Sequence, residues 1–178
     1  GFFGLTIALF LSKKHKVEIF EKKSSIMQGA SFANQLRFHH GYHYPRSQKT
    51  VTEINKSKNL FNNFFGRDIF GKTSNYYLIA NKSKVNFNKY KTFLYKNNLI
   101  FKVLKNSFNK KYIKKNIITN EKILDYFKFK KKILNKIHNS NLKVNLNKEF
   151  KKSFLKNFDK VLVVTYANNN FVLKKLGI

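Results

Sequence analysis

The sequence predicts an α/β protein. Three observations carry that prediction. The glycine pair Gly1 and Gly4 opens an apolar helix that leads into a strand ending in an acid. The apolar run at residues 161–164 is of a kind that is covered on both faces. Between them, stretches of helical and strand period alternate along the chain. With 178 residues, 42% of them hydrophobic, the chain supports a real core and is too apolar for a disordered tail.

The elements follow in order. Leu5, Ile7, Ala8, Leu9 and Leu11 make the first helix apolar nearly all round, which suits a helix inside a layered domain. Val17, Ile19 and Phe20, closed by Glu21, read as a short buried strand. Residues 22–50 hold no sustained period of two or 3.6, and a connection this long is functional or disordered. Phe32, Leu36, Phe38, Tyr42 and Tyr44 make it too apolar for a solvated tail.

Residues 50–65 carry apolar positions at helical spacing and stop near Gly66. Residues 74–81 then read as a strand, 86–98 as a helix, and 99–105 and 111–119 as further strands. An amphipathic helix is expected over 120–139, with Ile123, Leu124, Phe127, Ile133, Leu134 and Ile137 as its stripe. Strands at 141–147 and 159–165 return the chain to the α/β layer, the last one buried on both faces. No repeat, low-complexity linker or sustained heptad interrupts the pattern.

Gly1 and Gly4 have the spacing of the back half of GxGxxG, with Gly1 as its second glycine. The motif then expects a strand and another glycine ahead of Gly1. A helix N-terminus offers backbone N–H groups and the positive end of a dipole to a pyrophosphate. Gly1 lets the backbone approach the phosphates, and Gly4 lets the helix pack closely. Glu21, twenty residues after Gly1, is where a carboxylate accepts hydrogen bonds from a ribose diol and disfavours a 2′-phosphate. Taken alone, the half-motif fits equally a helix that happens to open on two glycines.

Composition excludes several classes. The formal charge of +29 raises nucleic acid as a partner, but its distribution argues against specific binding. Lysines run from Lys13 to Lys175 without a basic block, and only Arg37, Arg46 and Arg67 supply guanidinium forks. Lys, Asn, Ile and Phe all have A/T-rich codons, so the bias reads as base composition. No cysteine is present, which removes disulfides, thiolate catalysis and Cys-based zinc sites. The opening apolar run reaches Lys13 after about eleven residues, short of a membrane span. It also lacks the charged start and small-residue end of a signal peptide. A cytoplasmic location is the resulting expectation.

The loop concentrates the rarer residues: the only proline, two of three arginines and three of five histidines. The opening "GFFGLTIALFLSKKHKVEIFEKK" followed by "GASFANQLRFHHGYHYPRS" resembles the N-terminal region of FAD-dependent oxidoreductases of the D-amino acid oxidase superfamily. The resemblance implies a Rossmann-like FAD-binding domain, its first strand upstream of Gly1, with the beginning of an inserted α+β substrate domain. It implies cofactor contacts from Gly1, Phe2, Phe3, Gly4, Glu21 and Lys22. Ser31 would meet the phosphates, and Arg37, Phe38, His39, His40 and Gly41 would run past the flavin. Thr165 would touch it after the strand at 159–165.

The implied segments are 1–66 and 120–178 for the FAD domain and 67–119 for the start of the substrate domain. The implied activity is hydride transfer to flavin from a small substrate bearing an amine or hydroxyl, with His39 or His40 as candidates for proton handling. The "HHGYHYPRS" segment is also similar to a loop of UDP-galactopyranose mutases, so a flavin-dependent sugar-nucleotide mutase is the alternative. A binding protein with a vestigial flavin fold is the third. His39, His40 and His43 suggest a metal by residue type, but no acid falls between Glu21 and Glu53 to complete a ligand set, so no metal is expected. A chain without the central first strand is expected to bind FAD weakly or not at all by itself.

Overall fold

The computed structural model describes residues 1–105 and 108–178. In chain order the elements are α1 (Phe2–Leu11), β1 (Glu18–Phe20), α2 (Ala30–Ala33), β2 (Arg37–Phe38), α3 (Gln48–Phe65), β3 (Asn75–Ala80), α4 (Phe87–Lys96), β4 (Phe101–Leu104), β5 (Ile113–Thr119), β6 (Lys122–Ile123), α5 (Tyr126–His138), β7 (Lys143–Asn145) and α6 (Asn169–Leu176). This is a mixed α/β chain with small sheets. It separates into two compact units, one of Gly1–Asn34 with Lys130–Ile178, the other of Gln35–Phe129.

In the first unit, β1 and β7 form a parallel pair, with Ile19 opposite Val144. Lys143 Nζ and Asn145 Nδ2 each donate to the Glu18 carboxylate at 3.1 Å, tying the register across 125 and 127 residues of sequence. Phe20 at the end of β1 meets the rings of Phe150, Phe154 and Phe158 at 5.1, 5.7 and 5.9 Å, an aromatic cluster formed by a 3₁₀ segment and its flanks. Helix α1 buries Leu5, Ala8 and Leu9. Its opposite side is not covered as the all-round apolar sequence suggests: Phe3 and Phe10 are 73% and 51% exposed.

The strand expected at 159–165 is absent. These residues join no ladder, and Val161, Leu162 and Val164 stay partly exposed. An apolar run becomes a strand only where a neighbour supplies N–H and C=O partners, and no described strand lies beside this one to do so. One contact of the expected packing survives. A Cβ built on Gly4 would lie 3.4 Å from Val164 Cβ, so the missing side chain is what brings α1 against this segment.

In the second unit, β4 and β3 flank β5 in an antiparallel sheet. Strand β3 alternates, with Asn75, Tyr77 and Ile79 buried and the residues between them exposed. Tyr77, Ile79 and Ile117 of the sheet pack with Tyr90, Leu94 and Leu99 and with Tyr42 from the long loop. Asn86 caps α4, its Oδ1 accepting the Lys89 N–H at 2.9 Å. Helix α3 ends at Gly66 as expected, and starts two residues earlier than its apolar spacing suggests, capped by Ser47. Its residues Phe61 and Phe65 share an aromatic cluster with Phe129, and Phe61 also meets Phe38.

The helix expected from residue 120 begins only at Tyr126. Residues 120–125 are drawn into the loop's own pairing: β6 is antiparallel to β2, and Leu124 N–H donates to Leu36 C=O at 2.8 Å. Ile123 and Leu124 therefore serve a ladder, although they also fit a helical stripe. Asp125 sets the boundary, with Oδ1 accepting the N–H groups of Phe127 and Lys128 at 3.0 and 3.1 Å. Asp125→Ala is expected to cost about 1 kcal/mol by loss of this cap, measured as a lowered urea midpoint with an unchanged slope.

Candidate functional site

The sequence-predicted residues fall into two constellations, one in each unit. The first is the tip of α1. Glu21 follows directly after β1, and its Oε2 lies 4.0 Å from the Gly1 nitrogen. Ser31, on the short helix α2, places its hydroxyl at the same tip, where it accepts the Phe2 N–H at 2.8 Å. The first turn of a helix has no intrahelical acceptors for its N–H groups, and here a hydroxyl answers the first of them. A Cβ on Gly1 would approach Ser31 Oγ to 3.2 Å, so glycine keeps the space in front of the tip clear. Gly1, Glu21 and Ser31 thus stand together at the start of α1, with Gly4 in its first turn.

By its chemistry this donor set fits a dinucleotide's diphosphate and ribose: backbone N–H groups at a positive helix end, a hydroxyl, and a carboxylate beside them, whose Oε1 accepts the Lys23 N–H at 3.1 Å. Lys22 is exposed beside Glu21. Thr165 neighbours the Val164 that packs on Gly4, but its own N–H and hydroxyl both donate to Asn169 Oδ1, at 2.7 and 2.9 Å. It serves the start of α6 in this structure.

The second constellation gathers Arg37, His39, His40 and His43 around a residue the sequence reading missed, Glu121. Glu121 is 1% exposed. Its Oε1 accepts the His40 N–H at 3.0 Å, and its Oε2 accepts the Tyr77 hydroxyl at 2.5 Å. His39 Nδ1 stands 3.7 Å from Oε1 and is buried without a hydrogen-bond partner. Burial pushes the Glu121 carboxyl up, but His39, the Tyr77 hydroxyl and the His40 amide outweigh it and hold the group down at about 2. Burial first, and then Glu121, push the Tyr77 phenol well above the usual range, so the shared proton stays on the tyrosine.

Arg37 Nη1 lies 2.9 Å from His43 Nε2, with its guanidinium over the Tyr77 ring. A guanidinium only donates, so Nε2 is an acceptor and the ring's proton is on Nδ1. Burial and Arg37 both lower the His43 pKa, in keeping with a neutral ring. Burial and Lys58 lower that of His40. Burial pushes the Tyr42 phenol up to about 12, and its hydroxyl donates to Asn120 Oδ1 at 2.7 Å. Phe38 is placed for packing, against Phe61 at 5.2 Å and Phe70 at 5.0 Å.

Glu121 left a faint signal in the sequence. It is one of only eight acids, and it lies just beyond the apolar strand at 113–119. An isolated acid at such a place is there to meet donors from elsewhere in the chain, here a loop 80 residues earlier.

No family model and no solved structure matches the chain. Two curated relatives do match over a short stretch. Over 51 residues, 28% of this chain, it is 47% identical to the FAD-dependent monooxygenase kojA of Aspergillus flavus. It is identical to the same extent to the probable FAD-dependent monooxygenase kojA of Aspergillus oryzae. The match covers 12% of the length of either relative. Both names are those of flavin-dependent oxidoreductases, and neither is a mutase.

Proposed function

We propose that the protein is a flavin-dependent oxidoreductase whose α1 tip holds the diphosphate of FAD and whose Glu21 holds the ribose of its adenosine. The observation that carries this reading is Glu21 standing beside the Gly1 nitrogen, on the tip that Ser31 also faces. The parallel pairing of β1 with β7 and the approach of Gly4 to Val164 support a Rossmann-like framework around it. The two relatives, named as FAD-dependent, support the cofactor.

FAD supplies two-electron redox chemistry, accepting hydride from a substrate C–H bond. The chain's own residues bind and orient. The α1 amides offer partial positive charge to the diphosphate, and the Ser31 hydroxyl is free to turn from accepting the Phe2 N–H to donating to a phosphate oxygen. By the family resemblance, Arg37, Phe38, His39 and His40 line the ring end of the cofactor and the substrate is a small amine or hydroxy compound. In that arrangement Glu121 is a positioning residue, fixing the His40 backbone.

The test is a titration of FAD with the protein, followed by flavin fluorescence, at concentrations that register weak binding. Loss of a hydrogen bond to a charged group costs about 1.5–3 kcal/mol, so Glu21→Ala is expected to raise Kd about tenfold or more. ADP-ribose is expected to compete. Binding that ignores both Glu21→Ala and ADP-ribose overturns the reading.

A further inference from the structure

We propose that His39, His43 and Glu121 form a binding site for a divalent first-row transition ion. Imidazole and carboxylate ligands in a two-to-one ratio suit zinc, cobalt, nickel or ferrous iron, with coordination positions left for water. The proposal stands on the second unit alone and does not depend on the flavin reading.

Each of the three residues offers one donor atom, and these atoms all lie within 4.8 Å of one another. Bonds of about 2.0–2.2 Å place the donors of a tetrahedral ion about 3.4 Å apart. The 3.7 Å between His39 Nδ1 and Glu121 Oε1 is already close to that spacing, and the rest requires an inward movement of about an ångström by the outer His43 ring. His39 Nδ1 is the telling atom: buried, and facing the carboxylate at 3.7 Å, within ion-pair reach but beyond hydrogen-bond distance. Buried polar nitrogens are rarely left so, and an ion between Nδ1 and Oε1 would satisfy both. Glu121 is built in, its oxygens each held by one donor, the His40 amide and the Tyr77 hydroxyl. Each oxygen keeps a second lone pair for a ligand, and such held carboxylates are the usual support of metal sites. The two rings are partly exposed, which gives an ion its entry path.

Arg37 bears on the site directly. Its hydrogen bond uses the Nε2 lone pair of His43, and the other ring nitrogen carries the proton. Ligation through either nitrogen requires His43 to give up the Arg37 bond or shift its proton, so Arg37 competes with the ion and its charge opposes it. The site is therefore one of moderate affinity, restrained by Arg37.

Cobalt(II) titrated into the chelator-treated full chain reads the site through its visible absorption, which is intense in four- or five-coordinate ligation and weak in the aquo ion. One equivalent is expected to bind with the intense spectrum and to be displaced by zinc. Losing a supporting partner alone weakens metal sites 10–100-fold, so His39→Ala and His43→Ala are each expected to weaken binding tenfold or more. His15→Ala and His138→Ala are expected to leave it unchanged. Arg37→Met, which keeps an apolar stem over Tyr77, is expected to bind several-fold more tightly. An aquo-like spectrum, or affinity indifferent to His39→Ala and His43→Ala in variants with wild-type circular dichroism, overturns the proposal. Unchanged or weaker binding by Arg37→Met removes His43 from the ligand set and overturns it as stated.

Discussion

Glu121→Ala is expected to lower the stability of the protein by about 3–5 kcal/mol, the range for removing one partner of a buried charged network. Truncation leaves the Tyr77 hydroxyl and the His40 N–H without their acceptors, at about 1–3 kcal/mol each. Glu121→Gln keeps one acceptor oxygen and turns a donor toward the other partner. Tyr77 Oη has a lone pair to receive it and the His40 amide has none, so glutamine is expected to cost less than alanine and more than nothing. The order wild type, Gln, Ala in urea midpoints is the check, and equal midpoints for all three would remove Glu121 as the anchor of the loop.

The same carboxylate gives an acid limb. Its pKa is depressed in the folded protein, to about 2 from an ordinary 4.5. The unfolded chain therefore binds the proton first as pH falls. The stabilisation, on the order of 3 kcal/mol, is fully present above about pH 4.5 and is lost as pH falls toward 2. In chelator-treated protein, Glu121→Gln is expected to flatten this limb, read as a smaller drop in melting temperature between pH 5 and pH 3 than in the wild type.

What the sequence disclosed follows from how local each cause is. Helices α1, α3 and α4 were legible because their apolar spacing lies within one segment, and α3 also carries its stop, Gly66. The tip of α1 was legible because Gly1, Gly4 and Glu21 carry a spacing that chemistry constrains. The start of α5 was not: Ile123 and Leu124 fit its stripe, and their diversion into β6 depends on β2, some 85 residues earlier. For the same reason the run at 159–165 misled, since a strand's existence rests on a neighbour that its own residues do not encode. Glu121 belongs with these. The histidine loop was recognisable from its composition, but the acid that organises it lies between β5 and β6, 81 residues beyond His40.

Gly41→Ala tests how tightly that loop is set, and its expected cost is about 3 kcal/mol. Two terms of about 1–3 kcal/mol contribute, backbone strain and overpacking. The backbone at Gly41 has φ of 109°, a conformation that side chains rarely adopt. A Cβ there would also lie 3.1 and 3.3 Å from the two γ-methyls of Val51, a fully buried residue on α3 with little freedom at χ1. Val51→Ala removes the second term and leaves the first. The double variant is therefore expected to be more stable than the sum of the single losses by at least about 1 kcal/mol, measured as a coupling energy from urea denaturation. Strict additivity would mean that α3 does not press on the loop at this point. Gly41 sits between His40, whose amide Glu121 holds, and Tyr42, whose hydroxyl reaches Asn120. A displacement there moves the histidines against a carboxylate that cannot follow, so the same substitution is expected to weaken cobalt binding as it lowers stability.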